Sequence, residues 1–346
     1  MKPLARATGG SVSALLIMIT SAAAGDTPMS YLESAGARAA PVTPLIWGLI
    51  YLAAAVVIVI TLLVIVGILK RRTTDAWLPG QRSDVERGGS GVLRWVYAGL
   101  IATTITLAAF VAWTMSTLAA IRSPDQAEQF TVHVVGHQWW WEVRYIGSSP
   151  SQSFTTANEI RIPSGRPIRL RLSSADVIHS FWVPALSGKT DLIPGRTNET
   201  WLEANRTGDF RGQCAEFCGQ QHALMALRVV SLPGDEFAKW WAQQLKPAPG
   251  DTGASETVRN GRELVVAKCG ICHTVRGTLA GGKIGPDLSH LMSRETLAAN
   301  TIPNTRAGLS AWISAPQQIK PKNKMPNVEL SSEELHAIRT FLYTLQ

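Results

Sequence analysis

Residues 214–225 read Cys214-Ala-Glu-Phe-Cys218-Gly-Gln-Gln-His222-Ala-Leu-Met225. Two thiols, an imidazole and a thioether fall within these twelve residues. Thiolate and thioether are soft donors, and imidazole suits copper. A mononuclear blue-copper site uses a single Cys. Two Cys four apart, followed by His and Met, point instead to two copper ions sharing bridging sulfurs. A closed zinc site competes with this reading, because two Cys and two His can complete a tetrahedron. A buried, inert Cys pair is the third possibility.

Outward from this stretch the chain reads as short strands. Residues 131–135, 142–146, 168–173, 200–203 and 223–230 are apolar or β-prone, with turn residues between them. Residues 125–242 are therefore expected to form an all-β domain, a sandwich or Greek-key barrel. The ligand stretch falls between the last two of these strands. A loop there gathers soft ligands while the sheet fixes its ends.

Upstream, the 46% apolar composition would fit a soluble protein, but its distribution does not. Residues 45–69 and 95–121 are uncharged runs of 25 and 27 residues, each longer than the ~20 needed to span a bilayer core. They predict a transmembrane helical hairpin within residues 40–122. Between them lie Lys70, Arg71, Arg72, Arg82, Arg87 and Arg94, against Asp75, Asp84 and Glu86. Positive short loops stay cytoplasmic, so everything after Ile121 is expected on the outer, periplasmic side of a bacterial inner membrane. An earlier run, 12–24, is too short to span. It follows Lys2 and Arg6 and ends in three Ala, which reads as a signal peptide over residues 1–24. The net charge of +8 is no nucleic-acid footprint: residues 125–250 carry 12 Lys and Arg against 12 Asp and Glu, and residues 251–346 carry 11 against 8.

The remaining two cysteines lie in Cys269-Gly-Ile-Cys272-His273, the attachment signature of a c-type haem. A thioredoxin-like redox pair would not need His273, and the expected βαβ pattern is absent. Both thiols would form thioethers to haem, with His273 on the iron. Met325, in Lys-Met-Pro, is the candidate second axial ligand; a Met/His pair raises the haem potential. Met292 is the weaker candidate, in an amphipathic stretch that reads as core. Residues 261–268 read as a helix entering the first Cys. Ser331-x-x-Glu334 is a capping box, and Leu335, Ile338, Leu342 and Leu345 repeat at helical spacing. Residues 256–346 thus resemble an all-α class I cytochrome c, including Gly285-Pro286-Asp287-Leu288. Residues 243–255, rich in Pro, Gly and Ser, read as a flexible linker.

Four segments together carry a closer resemblance: Gly136-His-Gln-Trp-Trp-Trp141, Asp176-Val-Ile-His-Ser-Phe-Trp-Val-Pro184, Lys189-Thr-Asp-Leu-Ile-Pro-Gly-Arg196 and Gly212-Gln-Cys-Ala-Glu-Phe-Cys-Gly219. On these, residues 40–242 resemble subunit II of a cytochrome c oxidase, in the haem-copper oxidase superfamily. With the cytochrome c, the whole resembles the subunit II of caa-type oxidases. The resemblance implies a cupredoxin domain with a dinuclear CuA centre. Cys214 and Cys218 would bridge two coppers, His179 and His222 would each take one, and Met225 and the Glu216 carbonyl would be weak ligands. The Glu216 carboxylate would bind Mg²⁺ at the interface with subunit I, with Asp191 nearby. Trp139 would be the residue through which electrons enter from cytochrome c. His133 and His137 read as hydrogen-bonded structural residues, and strand alternation puts Trp139 and Trp141 on one face with Trp140 on the other.

The implied function is the electron-entry subunit of a proton-translocating oxidase. Electrons would pass from a donor, such as soluble cytochrome c or a bc complex, through the haem to CuA. From there they would reach a haem in subunit I, in a complex that includes subunit III. Many family members carry an acid at the cytoplasmic start of the second helix. Here that stretch reads Gly88-Gly-Ser-Gly-Val-Leu-Arg-Trp95, leaving Asp84 and Glu86 as the nearest acids. Cys214 and Cys218 argue against a copper-lacking quinol oxidase subunit. The two spans and the haem motif argue against a nitrous oxide reductase. A CuA subunit of a nitric oxide reductase and a membrane-anchored haem-copper electron shuttle are the alternatives.

Overall fold

The computed structural model describes residues 29–70 and 90–346. The expected signal peptide, the basic loop after Lys70, and Asp84 and Glu86 lie outside the described residues. Helices α1 (Val42–Leu69) and α2 (Ser90–Ala120) are each long and apolar enough to cross a membrane. They start slightly earlier than the uncharged runs. No side chain of α1 is buried, and large apolar groups such as Ile58, Leu63 and Leu118 are more than half exposed. Apolar surface on that scale is stable only against lipid or partner helices. The two helices touch where Gly48, early in α1, lies under Trp113, late in α2; a Cβ on Gly48 would sit 2.8 Å from the indole.

Both outer helix ends are tied to the β domain. Ahead of α1, Ala35 N donates to Ala185 O (2.7 Å), and Ala35 O accepts from Asn205 N (2.8 Å). Arg38 reaches Ser187 (3.2 Å) and Thr200. Just past α2, Ile121 O accepts from Trp201 Nε1 (3.2 Å).

The β domain has ten strands: β1 (Thr131–His137), β2 (Trp140–Ile146), β3 (Phe154–Ala157), β4 (Glu159–Pro163), β5 (Ile168–Ser174), β6 (His179–Trp182), β7 (Thr190–Leu192), β8 (Asn198–Leu202), β9 (Gly208–Cys214) and β10 (Ala226–Leu232). They form two five-stranded sheets, ordered β3-β2-β1-β5-β8 and β4-β10-β9-β6-β7. Pairing is mixed, with β1 and β5 parallel and β4 and β10 parallel. The arrangement is a sandwich of the cupredoxin kind. Period-2 patterning builds it: in β5, Ile168, Leu170 and Leu172 are buried while Arg169 and Arg171 face out. Those arginines pair with Glu128 and Glu199 across neighbouring segments.

The structure adds elements that the sequence reading did not carry. His179 opens β6, its backbone pairing with Leu192 of β7. Strands β3, β4, β6, β7 and β9 are absent from the five predicted strands; in β9, which ends at Cys214, Gly208, Asp209 and Gly212 carry little β-propensity. Helix α3 (Gly234–Gln244) closes the domain, where only strands were expected. Its Phe237 stacks on Phe130, while Trp240 and Trp241 meet Tyr145 and Phe154 edge to face, packing the helix against the core.

The C-terminal domain is helical: α4 (Glu256–Lys268), α5 (Arg306–Ser314), α6 (Pro316–Ile319) and α7 (Ser332–Leu342). Ser255 caps α4 and Thr305 caps α5 through their hydroxyls. The expected capping box at Ser331 and Glu334 is formed in both directions. Helices α4 and α7 cross at Gly261, where a Cβ would run into the Ala337 carbonyl and crowd Phe341. The crossing buries Val265, Ile338, Phe341 and Leu342.

Gly261→Ala should therefore destabilise this domain by about 2 kcal/mol. Overpacking costs ~1–3 kcal/mol, more than the ~1 kcal/mol of helix propensity that Ala recovers. Denaturant unfolding followed at the helical domain would show it as a lowered midpoint.

Candidate metal and cofactor site

The ligand loop leaves the sheet at Cys214 and returns at Ala226. Cys214 N donates to Met225 O (3.0 Å) and Ala215 N to Ser180 O (3.0 Å), so backbone bonds pin both loop ends. Phe181 of β6 sits opposite Cys214 of β9, which carries His179 to the same sheet end. The result is one cluster. Cys214 Sγ lies 3.8 Å from Cys218 Sγ, 3.3 Å from Glu216 O and 3.9 Å from His179 Nδ1. Cys218 Sγ lies 3.6 Å from His222 Nδ1 and 3.7 Å from Met225 Sδ. His179, Cys214 and Cys218 are buried and mutually within reach of an ion.

The donor chemistry fits a soft cation. The neighbouring Cys218 sulfur holds Cys214 well below the ordinary thiol pKa, with His179 assisting. Its own proximity to Cys214, with burial, pushes Cys218 up. Two like charges this close do not both ionise unless a cation lies between them. For His179, burial opposes the charged form, but the hydrogen bond to Asp176 and the proximity of Cys214 outweigh it and raise the pKa.

Supporting groups fix the ligands. Asp176 Oδ1 accepts from His179 Nε2 (2.8 Å), which leaves Nδ1 directed at Cys214. Asp176 Oδ2 accepts from Gln138 N (2.7 Å) and from Lys324 Nζ (3.3 Å). Gly136 makes room for the imidazole: a Cβ there would lie 2.7 Å from His179 Cδ2. Gln138 Nε2 (2.8 Å) and Trp139 Nε1 (3.0 Å) both donate to Cys218 O. Trp139 occupies the turn between β1 and β2 rather than a strand, so alternation does not place it; Trp141 alone of the three is fully buried. His133 bonds Ser173 (2.8 Å) and His137 bonds Glu142 (3.0 Å), both away from the cluster. The Glu216 carboxylate is exposed at the loop tip beside Phe217, and Asp191 is exposed.

In the helical domain, Cys269, Cys272 and His273 form a turn directly after α4, closed by His273 N to Cys269 O (2.9 Å). The Pro286 carbonyl can only accept, so His273 Nδ1 carries the proton and donates to it (2.7 Å). Burial lowers the ring's pKa and so disfavours the charged form, against the pull of that carbonyl. Nε2 therefore keeps its lone pair, as an axial ligand requires. Gly285 packs flat on the ring; a Cβ would lie 2.5 Å from His273 Cε1. Cys269, Cys272, His273 and Met325 line one cavity. Met325 is held there by Asn323 Oδ1, which accepts from its N–H (2.7 Å), and by Gln317 Nε2, which donates to its carbonyl (2.7 Å). Met292 packs in the core outside that lining.

The same cavity is walled by Trp139 and Asn158 of the β domain. Trp139 thus touches both sites: its ring borders the cavity and its N–H ends on Cys218 O. The seam around it is polar. Glu159 Oε1 accepts from Glu295 N (2.7 Å) and Thr296 N (3.0 Å). Arg161 donates to Ser293 O (2.6 Å), and Gln221 to Pro321 O (2.6 Å). Asp176, Gln138 and Gly136 lay within motifs quoted from the sequence but carried no assigned role. Lys320 and Glu159 gave no signal, since a lone charge in sequence reads as solvated.

Comparison with known proteins places both halves. Residues 147–232 match the family model for the periplasmic domain of cytochrome c oxidase subunit II, and residues 258–346 match that for cytochrome c. The β domain is thus similar to the first family and the helical domain to the second, joined in one polypeptide. The chain is 38% identical over 218 residues to cytochrome c oxidase subunit 2 of Alkalihalophilus pseudofirmus, covering 62% of this chain and 61% of that one. It is 31% identical over 231 residues to cytochrome c oxidase subunit 2 of Bacillus subtilis, covering 63% of each. The matched region thus spans less than two thirds of these relatives. A crystal structure of the periplasmic domain of subunit II of cytochrome oxidase from Bradyrhizobium japonicum is 35% identical, with a TM-score of 0.32, covering 34% of this chain and 95% of that one.

Asp176→Asn should weaken metal retention at the Cys214–Cys218 cluster by ~10–100-fold, the usual effect of losing a carboxylate partner of a ligating His. Competition with a chelator of graded strength measures it.

Proposed function

We propose that this chain is the electron-entry subunit of a membrane-bound cytochrome c oxidase. The observation that carries the reading is the single residue Trp139, set between a buried soft-donor cluster and a cavity lined by a Cys-x-x-Cys-His motif and Met325. Cys214 and Cys218 would bridge two coppers, each also taken by one of His179 and His222, with Met225 and the Glu216 carbonyl as weak ligands. Cys269 and Cys272 would hold haem covalently, with His273 and Met325 on the iron. The bound metals supply the redox states. The chain's own residues hold and connect them: two backbone-pinned loop ends keep the thiol pair fixed, and the apolar interior excludes water. A rigid, dry site needs little rearrangement when charge moves. A zinc site of two Cys and two His would leave Met225, buried against Cys218, without a role.

The helices α1 and α2 would anchor the chain in a bacterial inner membrane with both redox domains on the periplasmic side. Their bare apolar surface, and the 75% exposed Phe217 at the tip of the ligand loop, would meet subunit I. There the exposed Glu216 carboxylate would complete a Mg²⁺ site, oxygen ligation being what that ion prefers. Electrons would come from a soluble cytochrome c or a bc complex and leave for a haem of subunit I.

Metal and haem analysis of the purified protein tests this reading. Two coppers and one covalent haem per chain are expected, with oxygen uptake by the assembled complex. Cys218→Ser should lose copper and keep haem; Cys272→Ala should lose the normal haem attachment and keep copper. A preparation holding zinc and no copper would overturn the assignment.

A further inference from the structure

Lys320 follows α6 in the helical domain and is 2% exposed. Its Nζ donates to Trp139 O (2.7 Å), Leu224 O (2.7 Å) and Ala298 O (3.1 Å). An ammonium has three N–H donors, one for each carbonyl, and this match supports the charged form against burial, which pulls the amine's pKa down to about 7. The three acceptors come from three separate segments: the turn that presents Trp139, the ligand loop one residue before Met225, and a turn of the helical domain itself. That last turn is unusual. Ala298, Ala299 and Asn300 all have positive φ, between 55° and 64°, a conformation non-glycine residues adopt only when their surroundings impose it. Ala299 O also accepts from Ala226 N of the β domain (3.3 Å). Among the described residues no carboxylate pairs with this cation. Two of its three acceptors lie across the seam, so its hydrogen bonds hold one domain against the other more than they hold either domain together.

We propose that Lys320 is a positioning residue: it locks the haem domain onto the ligand loop with its cavity facing Trp139, and electron transfer between the two centres depends on that lock. This rests on the copper and haem reading given above. Without the ammonium, three carbonyls are left buried and unpaired when the domains dock, whereas water can reach them when the domains part. The docked population falls accordingly. The polypeptide between α3 and α4 keeps the two domains tethered, so undocking is reversible and the local concentration stays high. Transfer slows without either centre being lost.

The test uses full-length protein loaded with copper and haem. The haem is reduced by a light pulse through a photochemical donor, and its reoxidation is followed together with copper reduction. Lys320→Met is expected to slow this internal step about tenfold, with copper and haem content, absorption bands and both midpoint potentials unchanged. Lys320→Gln keeps two N–H donors, should give an intermediate rate, and serves if the Met variant fails to fold. An unchanged rate in loaded variants overturns the lock and leaves the functional reading standing. A slowed rate with shifted potentials or lost copper also overturns it, since Lys320 would then build the metal site rather than position the domains. A wild-type protein that carries haem but no copper, or shows no transfer between them, overturns the functional reading and the lock with it.

Discussion

Two sulfurs held 3.8 Å apart in an apolar interior set the terms for everything around them. Two unit charges at that distance repel by about 4 kcal/mol at an effective dielectric near 20, equivalent to about three pKa units at ~1.36 kcal/mol each. Without a cation, ionising one sulfur opposes ionising the other. With a soft cation the pair can carry two charges. The surrounding structure keeps the pair from relaxing apart: Cys214 is the last residue of a strand, and the Cys218 carbonyl is held by two donors, from Gln138 and Trp139. Protein rigidity here does the work that solvent reorganisation would otherwise undo.

That doubly held carbonyl also explains why the Gly-His-Gln-Trp turn belongs with a loop some eighty residues later. Gly136 yields space to the His179 ring, Gln138 N binds Asp176, and Asp176 orients His179. One β-turn therefore positions a histidine, a cysteine carbonyl and an indole together. The helical domain meets the same turn from the other side through Lys320, so the two halves share a boundary rich in polar contacts, several of them to main-chain oxygens. A polar boundary suits domains that must align without fusing into a single core.

The chemistry was more legible in the sequence than the geometry. Cys214 to Met225 and Cys269 to His273 announce themselves because clustered soft ligands and a haem motif have few other uses. The two long uncharged runs and the Ser331–Glu334 capping box are local signals, and local signals survive in sequence. Strand β9 was hidden because its glycines and Asp209 suppress β-propensity; tertiary pairing with β6 and β10 decides its conformation. Helix α3 was hidden because Trp240 and Trp241 read as part of the β domain's aromatic content, and only the cluster with Tyr145 and Phe154 shows which face they cover. His179 was recognised, but its place on β6 depends on pairing with β7, which no periodicity marks. Lys320 and Glu159 act through partners far off in sequence, the kind of information a single chain read linearly does not carry.

The ties between the helix ends and the β domain have one further consequence. Ala35 is stitched to both Ala185 and Asn205, and Trp201 grips Ile121, so the stretch between Ala35 and Val42 acts as a gauge of fixed length. Each residue added there would turn α1 by about 100° about its axis and advance it by about 1.5 Å, while the β domain stayed where Trp201 holds it. The face that α1 offers to neighbouring membrane helices is thus indexed, residue by residue, to the orientation of the thiol pair outside the bilayer.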